Sequence, residues 1–440
     1  MSCHSEKQNL EQKIEGGEPE YVHPFNEGLL FAIIYKIYKK NPGIINTLLE
    51  YNKKIFIKFG SFFYRFNKDN YDSHIYLFFP WNIIGGADKV NLEIANSILD
   101  YKPIIFFTDR IDRKLLKNNY PRGLTIINLT NYYIKYLHWF QQYFYAGIIS
   151  AKINETIFKE NEKNAQLILL GSNSCLFYEI LKNIRVKCFC IDVVHAFIGI
   201  EKISIPVVPK IDKRILITPT LYPKIVEQYN NHDYSQYLNR TDIIYNGVEI
   251  PNNISNKPDN DSLKIIFVGR ECPEKRIHLI GKIAKECKHQ EIPASFTVIG
   301  ASKNVMDSED CKYCSFSGEI TDKEDLNFIY QNSDIILIVS SFEGFPMAIM
   351  EGMAYGVVPI TTDVGGIKDH VINNETGFCV PNLSEKQIID DIVEHIRELS
   401  NNRDNLHEIQ LNVHNYAKKH FSIELFRKKY RDMILSAIQN

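Results

Sequence analysis

The sequence predicts an α/β protein built from two doubly wound parallel sheets. Three observations predict it. From residue 74 short apolar runs alternate with stretches of helical period. A segment rich in Pro, Asn, Asp and Ser, Pro251 to Asp261, breaks the series and reads as a linker. The same rhythm then restarts at Lys264. Alternation of this kind indicates helices packed on a parallel sheet.

In the first series, His74–Phe79 reads as a buried strand, Trp81–Ala87 as a turn and Asp88–Leu99 as a helix. Ile104–Phe107, Leu124–Ile127 and Leu167–Leu170 read as further strands, the last leading through Gly171–Ser174 into a helix ending near Ile184. Val186–Phe189 continues through Cys190 and Ile191 to His195. Ile215–Thr218 precedes a helix near Pro223–Tyr229, and Asp242–Tyr245 runs into the turn Asn246-Gly247-Val248. In the second series the strands are Lys264–Val268, Ser295–Ile299, Asp334–Val339 and Val357–Ile360. The last 55 or so residues read as helical, with Ile388, Ile392 and Ile396 on one face. Sheets of this type bind ligands beyond the carboxyl ends of their strands, so the expected site is a cleft between the two domains.

Bulk properties narrow the class. A chain of 440 residues suits two to three domains. The 45% hydrophobic and 24% charged contents exclude a disordered or collagen-like chain. With 51 Lys+Arg against 53 Asp+Glu, the net charge of −2 gives no nucleic-acid signature, and no nucleic-acid partner is expected. Nine scattered cysteines and a start without a secretory pattern suggest reduced thiols and a cytoplasmic place. Cys311-x-x-Cys314 lacks a second ligand pair at finger spacing and reads as thiols in a turn. No apolar run near the start is long enough to cross a membrane.

Residues 1–25 are polar and read as a loose leader. Residues 29–70 hold eight Lys/Arg and two acids among many aromatics. Two readings stand for this stretch: a face for an anionic membrane surface, giving a peripheral place on the inner membrane face, or an added layer of the first domain whose lysines snorkel.

The densest chemistry lies in Ser340 to Gly356. It follows the strand ending at Val339, and Glu343 and Gly344 fall in the turn. Pro346 suits a first helical position, and the helix behind it offers free N–H groups as an anion site. Glu351 lies about 7.5 Å further along the axis, so the two carboxylates can touch different parts of one extended ligand. Carboxylates accept from sugar hydroxyls in pairs.

This run resembles the E-x7-E signature of retaining family 4 glycosyltransferases with the GT-B fold. Phe267-Val268-Gly269-Arg270 through Glu274, Lys275 and Arg276 resembles the family's strand-Gly-Arg-x4-Lys element. Asn246-Gly247-Val248 resembles its interdomain turn, and Ser317-Gly318-Glu319-Ile320 the segment whose backbone reads the nucleotide base. Thr361 to Ile367 and Glu375 to Phe378 match elements that usually follow. Gly85-Gly86 resembles the glycine loop near the donor phosphate, and Asp192-Val-Val-His195 the strand-end histidine facing the donor sugar. Residues 1–73 match nothing in that pattern.

The resemblance implies a GT-B architecture of two Rossmann-like domains facing a cleft. It divides the chain into an extension at 1–73, an acceptor domain at 74–245, a donor domain at 246–415 and a C-terminal helix at 416–440 crossing back to the first domain. It implies transfer of a sugar, with retention, from a nucleotide-diphosphate-sugar to a glycan or lipid-linked acceptor in cell-surface polysaccharide or glycolipid synthesis. The implied catalytic residues are His195, Glu343, Arg270 and Lys275. Donor contacts fall to Gly85, Gly86, Gly269, Gly318, Glu319, Ile320, Gly344, Phe345, Pro346, Met347 and Glu351. No D-x-D motif stands where the donor would sit, so neither metal nor other cofactor is expected to be required. A sugar-nucleotide epimerase of the same fold is the competing enzyme reading, and a non-catalytic glycan- or nucleotide-binding protein the non-enzymatic one.

Overall fold

The computed structural model describes residues 20–22, 57–58, 61, 73–82, 86–111, 120–121, 124–129, 138–160, 166–196, 200–254 and 262–439. All of the stretch 29–70 except residues 57, 58 and 61 lies outside them, as does Gly85. The described residues fall into two compact units. One holds those up to Leu216 with Lys224–Asp242 and the chain from Arg427; the other holds Ile217–Pro223 and Ile243–Phe426.

The first unit is built on eight strands: β1 (Glu20–Val22), β2 (Ile75–Asn82), β3 (Ile104–Ile111), β4 (Thr125–Asn128), β5 (Ile168–Ser172), β6 (Phe189–Val194), β7 (Lys213–Leu216) and β8 (Thr241–Ile243). Their order is β1-β4-β3-β2-β5-β6-β7-β8. Every pair from β1 to β7 runs parallel. Apolar runs such as Ile75–Phe79 and Ile168–Leu170 are buried throughout, as strands covered by helices on both faces require. Helices α1 (Gly86–Ser97), α2 (His138–Glu160), α3 (Cys175–Asn183) and α4 (Tyr222–Asn230) follow their strands. Ser174 caps α3 by accepting from Phe177 N.

Three expectations need correction here. Glu20–Val22, read as part of a loose leader, pairs with Thr125–Ile127 at the sheet edge. Three residues carry too little period to announce a strand. The sixth strand begins at Phe189 rather than Val186. Ile217–Pro223 groups with the second unit, where Thr218 Oγ1 donates to Asp369 at 3.0 Å.

The second unit carries β9 (Leu263–Val268), β10 (Ala294–Ile299), β11 (Cys314–Gly318), β12 (Ile335–Ile338), β13 (Val358–Thr362) and β14 (Phe378–Val380). Their order is β11-β10-β9-β12-β13-β14, all parallel. This is the doubly wound Rossmann order, and the connections change direction between β9 and β12. A crevice forms at that point, outside the strand ends. Helices α5 (His278–His289), α6 (Lys323–Gln331), α7 (Met347–Ala354), α8 (Glu385–Asn401) and α9 (Arg403–His420) complete it. The stripe Ile388, Ile392 and Ile396 is wholly buried. Helix α10 (Ile423–Gln439) is tied in the first unit by Arg427 to Glu93 and by a forked pair from Arg431 to Asp100. No helix among the described residues is long and apolar enough to cross a membrane.

The first unit buries an ion pair. Arg214 Nε donates to Asp192 at 2.9 Å, and both side chains are fully buried. Tyr178 OH donates to the other Asp192 oxygen at 2.9 Å, and Arg214 also reaches Tyr229 OH and Gln228. Burial opposes the guanidinium charge most strongly of any single cause, but Asp192, Tyr229 and Tyr178 together outweigh it and raise the Arg214 pKa. Removing one partner strands the other charge in the core. Asp192→Ala should therefore cost about 3–5 kcal/mol, read as a lower urea midpoint; a midpoint within error of the parent would show that this network is not holding β6 to β7.

Candidate active site

The residues singled out in the second series converge on the crevice between β9 and β12. The loop after β9 turns through Pro273–Lys275, and Arg276 follows with φ +46. Arg276 lays its guanidinium across the end of β12: Nε donates to Val339 O at 2.7 Å, and one terminal nitrogen donates to Ser340 O and Asn382 Oδ1, both at 2.8 Å. Ser341 N and Oγ both donate to Glu274 O. These bonds dock the β9 loop on the β12 loop.

Docking brings Lys275 and Glu343 together as a direct ion pair. Their side chains are mostly buried, 18% and 11% exposed, so water screens the pair only in part. Ser340 Oγ donates to the same Glu343 oxygen at 2.6 Å. Ser340 itself is fully buried and is held by Thr362, whose Oγ1 donates to Ser340 O at 2.6 Å. Arg270, at the end of β9, is exposed and makes no ion pair among the described residues.

Glu351 lies on α7. Tyr330 OH donates to it at 3.0 Å from the end of α6, and Tyr330 is almost wholly buried with its ring stacked on Tyr355. Tyr330 was not read from the sequence; an aromatic at a helix end gives no local signal of such a partner. Pro346 is the residue before α7, not its first helical residue. Gly344 and Met347 are half-buried beside it. The Phe345 ring is buried in the core against His370 and Phe421. Only its backbone is left to face a ligand, because an aromatic ring after an exposed turn gains most by turning inward.

Gly269 sits at the end of β9, its N–H donating to Ile299 O at 3.1 Å. Gly300 closes β10 with φ +87, and a Cβ there would lie 2.4 Å from Gly269 O. Gly300 N donates to Gly318 O at 2.7 Å, fixing the end of β11. Gly318 and Glu319 are exposed and Ile320 half-buried. Cys314 opens β11 rather than lying in a turn; burial pushes its thiol up to about 12. Cys311 Sγ donates to Lys303 O. Among the described residues no cluster of three metal-ligating side chains is present.

Two expected residues belong to the first unit. Gly86 starts α1 rather than lying in a loop. His195 stands just past β6, half-buried, with its ring Nε2 2.7 Å from Ser172 Oγ. Burial lowers its pKa to about 4, so the ring is neutral at physiological pH.

The glycine pair after β13 was legible as a motif but not for what it touches. Gly365 has φ +59, and a Cβ on it would fall 2.0 Å from Glu343 O. Gly366 N donates to Gly344 O at 2.7 Å. The pair presses on the turn that carries Glu343.

A cation paired with a carboxylate at a Rossmann switch point, a second carboxylate on the following helix and close backbone turns meet here, an arrangement whose chemistry suits a phosphorylated, hydroxyl-rich ligand. Residues 251–420 match the family model of glycosyl transferases group 1. An uncharacterized glycosyltransferase of Methanocaldococcus jannaschii is 30% identical over 47% of this chain and 58% of its own length. The capsular polysaccharide biosynthesis glycosyltransferase CapM of Staphylococcus aureus is 28% identical over 40% of this chain and 46% of its own. The matched region thus spans about half the length of these curated relatives. The Anabaena protein HepE, solved in complex with UDP and glucose, superposes with a TM-score of 0.60 at 15% identity, covering 82% of this chain and 99% of that one. The fold is of the GT-B type, with two parallel Rossmann-like sheets.

Two outcomes test the geometry. Gly365→Ala must displace the Glu343 turn or leave its own φ, so it should lower stability by more than about 1 kcal/mol; an unchanged melting temperature would show that the turn gives way freely. His370 is buried in a cluster with Tyr245, Phe345, Tyr416 and Phe421. Burial, helped by nearby His420, lowers its pKa to about 4. The unfolded chain therefore binds a proton that the folded chain refuses between about pH 6.5 and 4, and stability falls as pH falls through that window. In His370→Phe that acid loss should shrink by up to about 3 kcal/mol in pH-dependent urea titrations, and an unaltered pH slope would contradict it.

Proposed function

We propose that the chain is a retaining glycosyltransferase that moves a sugar from a nucleotide-diphosphate-sugar to a glycan or lipid-linked acceptor, in cell-surface polysaccharide or glycolipid synthesis. The observation that carries it is the Lys275–Glu343 pair at the β9/β12 switch point, within the matched family region. UDP is the proposed nucleotide, supported by the UDP and glucose named for HepE. The capsular polysaccharide role of CapM supports the cell-surface product.

The hard part of glycosyl transfer is the departing nucleoside diphosphate, on which negative charge builds as the anomeric bond breaks. Lys275 and Arg270 meet that charge, with the N–H groups at the start of α7. Glu343 then exchanges its lysine for hydroxyls of the donor sugar. Glu351, steadied by Tyr330, accepts from the ribose hydroxyls. Neutral His195 hydrogen-bonds the sugar without adding positive charge beside a developing oxocarbenium ion. With attack on the face from which the diphosphate leaves, configuration at the anomeric carbon is kept.

Purified protein screened by thermal shift against UDP-, GDP- and ADP-sugars should respond most to a UDP-sugar. Glu343→Ala and Lys275→Ala should each cut transfer from that donor by about 10²–10³. Near-parental rates in both variants would remove this site. Conversion of the UDP-sugar without any acceptor would favour the epimerase reading instead.

A further inference from the structure

His195 ends a chain of buried polar groups in the first unit. Its Nε2 lies 2.7 Å from Ser172 Oγ, and Ser172 Oγ donates to Asn91 Oδ1 at 2.7 Å. Ser172, at the end of β5, and Asn91, on α1, are both 0% exposed. The backbone around the histidine is fastened as well. His195 N donates to Asn173 Oδ1 and Asn173 Nδ2 donates to Ala196 O, both at 3.0 Å. Asn173 reaches both through a left-handed φ of +49.

The proton count along this chain has a consequence. A serine hydroxyl carries one proton. Ser172 gives it to Asn91, so toward His195 it can only accept. Nε2 must then hold the single proton of the neutral ring, and Nδ1 holds the lone pair. The lowered His195 pKa keeps the ring neutral, so the count stands at physiological pH. Among the described residues nothing hydrogen-bonds Nδ1.

We propose that Ser172 and Asn91 are positioning residues that lock His195 in its Nε2–H tautomer, so that Nδ1 accepts from one hydroxyl of the donor sugar and the site selects sugars that keep that hydroxyl. This rests on the reading of His195 as a donor-sugar residue. A deoxy sugar would leave the lone pair without a donor. A carboxylate at the same place would set acceptor against acceptor. The opposite tautomer would turn Nδ1 into a donor and admit a carboxylate, while a hydroxyl could bond it only by accepting.

The tautomer is measurable without turnover. In a long-range proton–nitrogen spectrum of the full chain labelled with ¹⁵N-histidine, the His195 signals are assigned by their loss in His195→Ala. A protonated Nε2 and an unprotonated Nδ1 are expected. The reverse, which would follow from Asn91 Nδ2 donating to Ser172 and Ser172 to Nε2, overturns the proposal whatever the enzyme does. The second readout is donor selection, using UDP-glucose, or the UDP-hexose turned over fastest, against its singly deoxygenated analogues. Deoxygenation at one position should lower kcat/KM of the parent protein about tenfold, mainly through kcat, the size of one hydrogen bond. That penalty should vanish in His195→Ala and in the double variant, and shrink in Ser172→Ala, where the ring is free to take either tautomer. A penalty of full size in Ser172→Ala overturns the selecting role. If no UDP-sugar is turned over by the parent protein, the transferase reading fails, and the spectrum still decides the tautomer.

Discussion

Arg276 holds two loops that the chain separates by more than sixty residues. Its guanidinium bonds the carbonyls of Val339 and Ser340 at the end of β12, while its own backbone closes the turn after β9. The last carbonyls of a parallel strand have no neighbour to pair with once the sheet ends. A planar fork of donors suits them better than an ammonium, which offers a point charge. Burial lowers the Arg276 pKa, the expected sign when a cation is drawn from water toward neutral carbonyls. Lys275, one residue earlier, is thereby delivered to Glu343.

Glu343 is fixed from two further sides, one of them braced in turn. Ser340 donates to its carboxylate, Thr362 holds Ser340, and the Gly365–Gly366 turn packs against its backbone. These contacts come from two strand ends of the second sheet, β12 and β13, and from the loop beyond β13. A carboxylate so fixed loses little rotational freedom when a ligand arrives, which is the physical content of preorganisation. The residues that achieve it are short, polar and unremarkable in a sequence, and their value appears only when the strand order is known.

The two sheets were legible because their strands are apolar runs separated by turn chemistry, as in Ile75–Phe79 and Ile335–Ile338. The elements that escaped share a physical reason. Cys314–Gly318 is an edge strand with no fully buried residue, so no apolar run marks it. His138–Glu160 is rich in aromatic and β-branched residues, which are mediocre helix formers. At the site, Glu343, Arg270 and Lys275 stood out because charged side chains in turns at strand ends have little structural purpose, and Glu351 by its spacing from Glu343. Tyr330, Ser172 and Asn91 did not, because a buried polar residue is recognisable only by its partner, and those partners lie 21, 23 and 81 positions away. Phe345 shows the converse: its place in a motif said nothing about the direction of its ring.

Under the proposed function, the Lys275–Glu343 pair also constrains how a ligand can enter. Without a ligand each charge is the other's main compensation in a partly dehydrated place, so neither can be given up without replacement. A diphosphate offers Lys275 more negative charge than one carboxylate does, and sugar hydroxyls offer Glu343 neutral donors in place of an ammonium. A ligand carrying both groups replaces both partners at once. A free phosphate compensates the lysine but leaves the carboxylate buried with fewer donors, and a free sugar does the reverse. The pair thus favours a molecule in which phosphate and sugar are joined over either part alone, and it does so through the cost of the half-satisfied state.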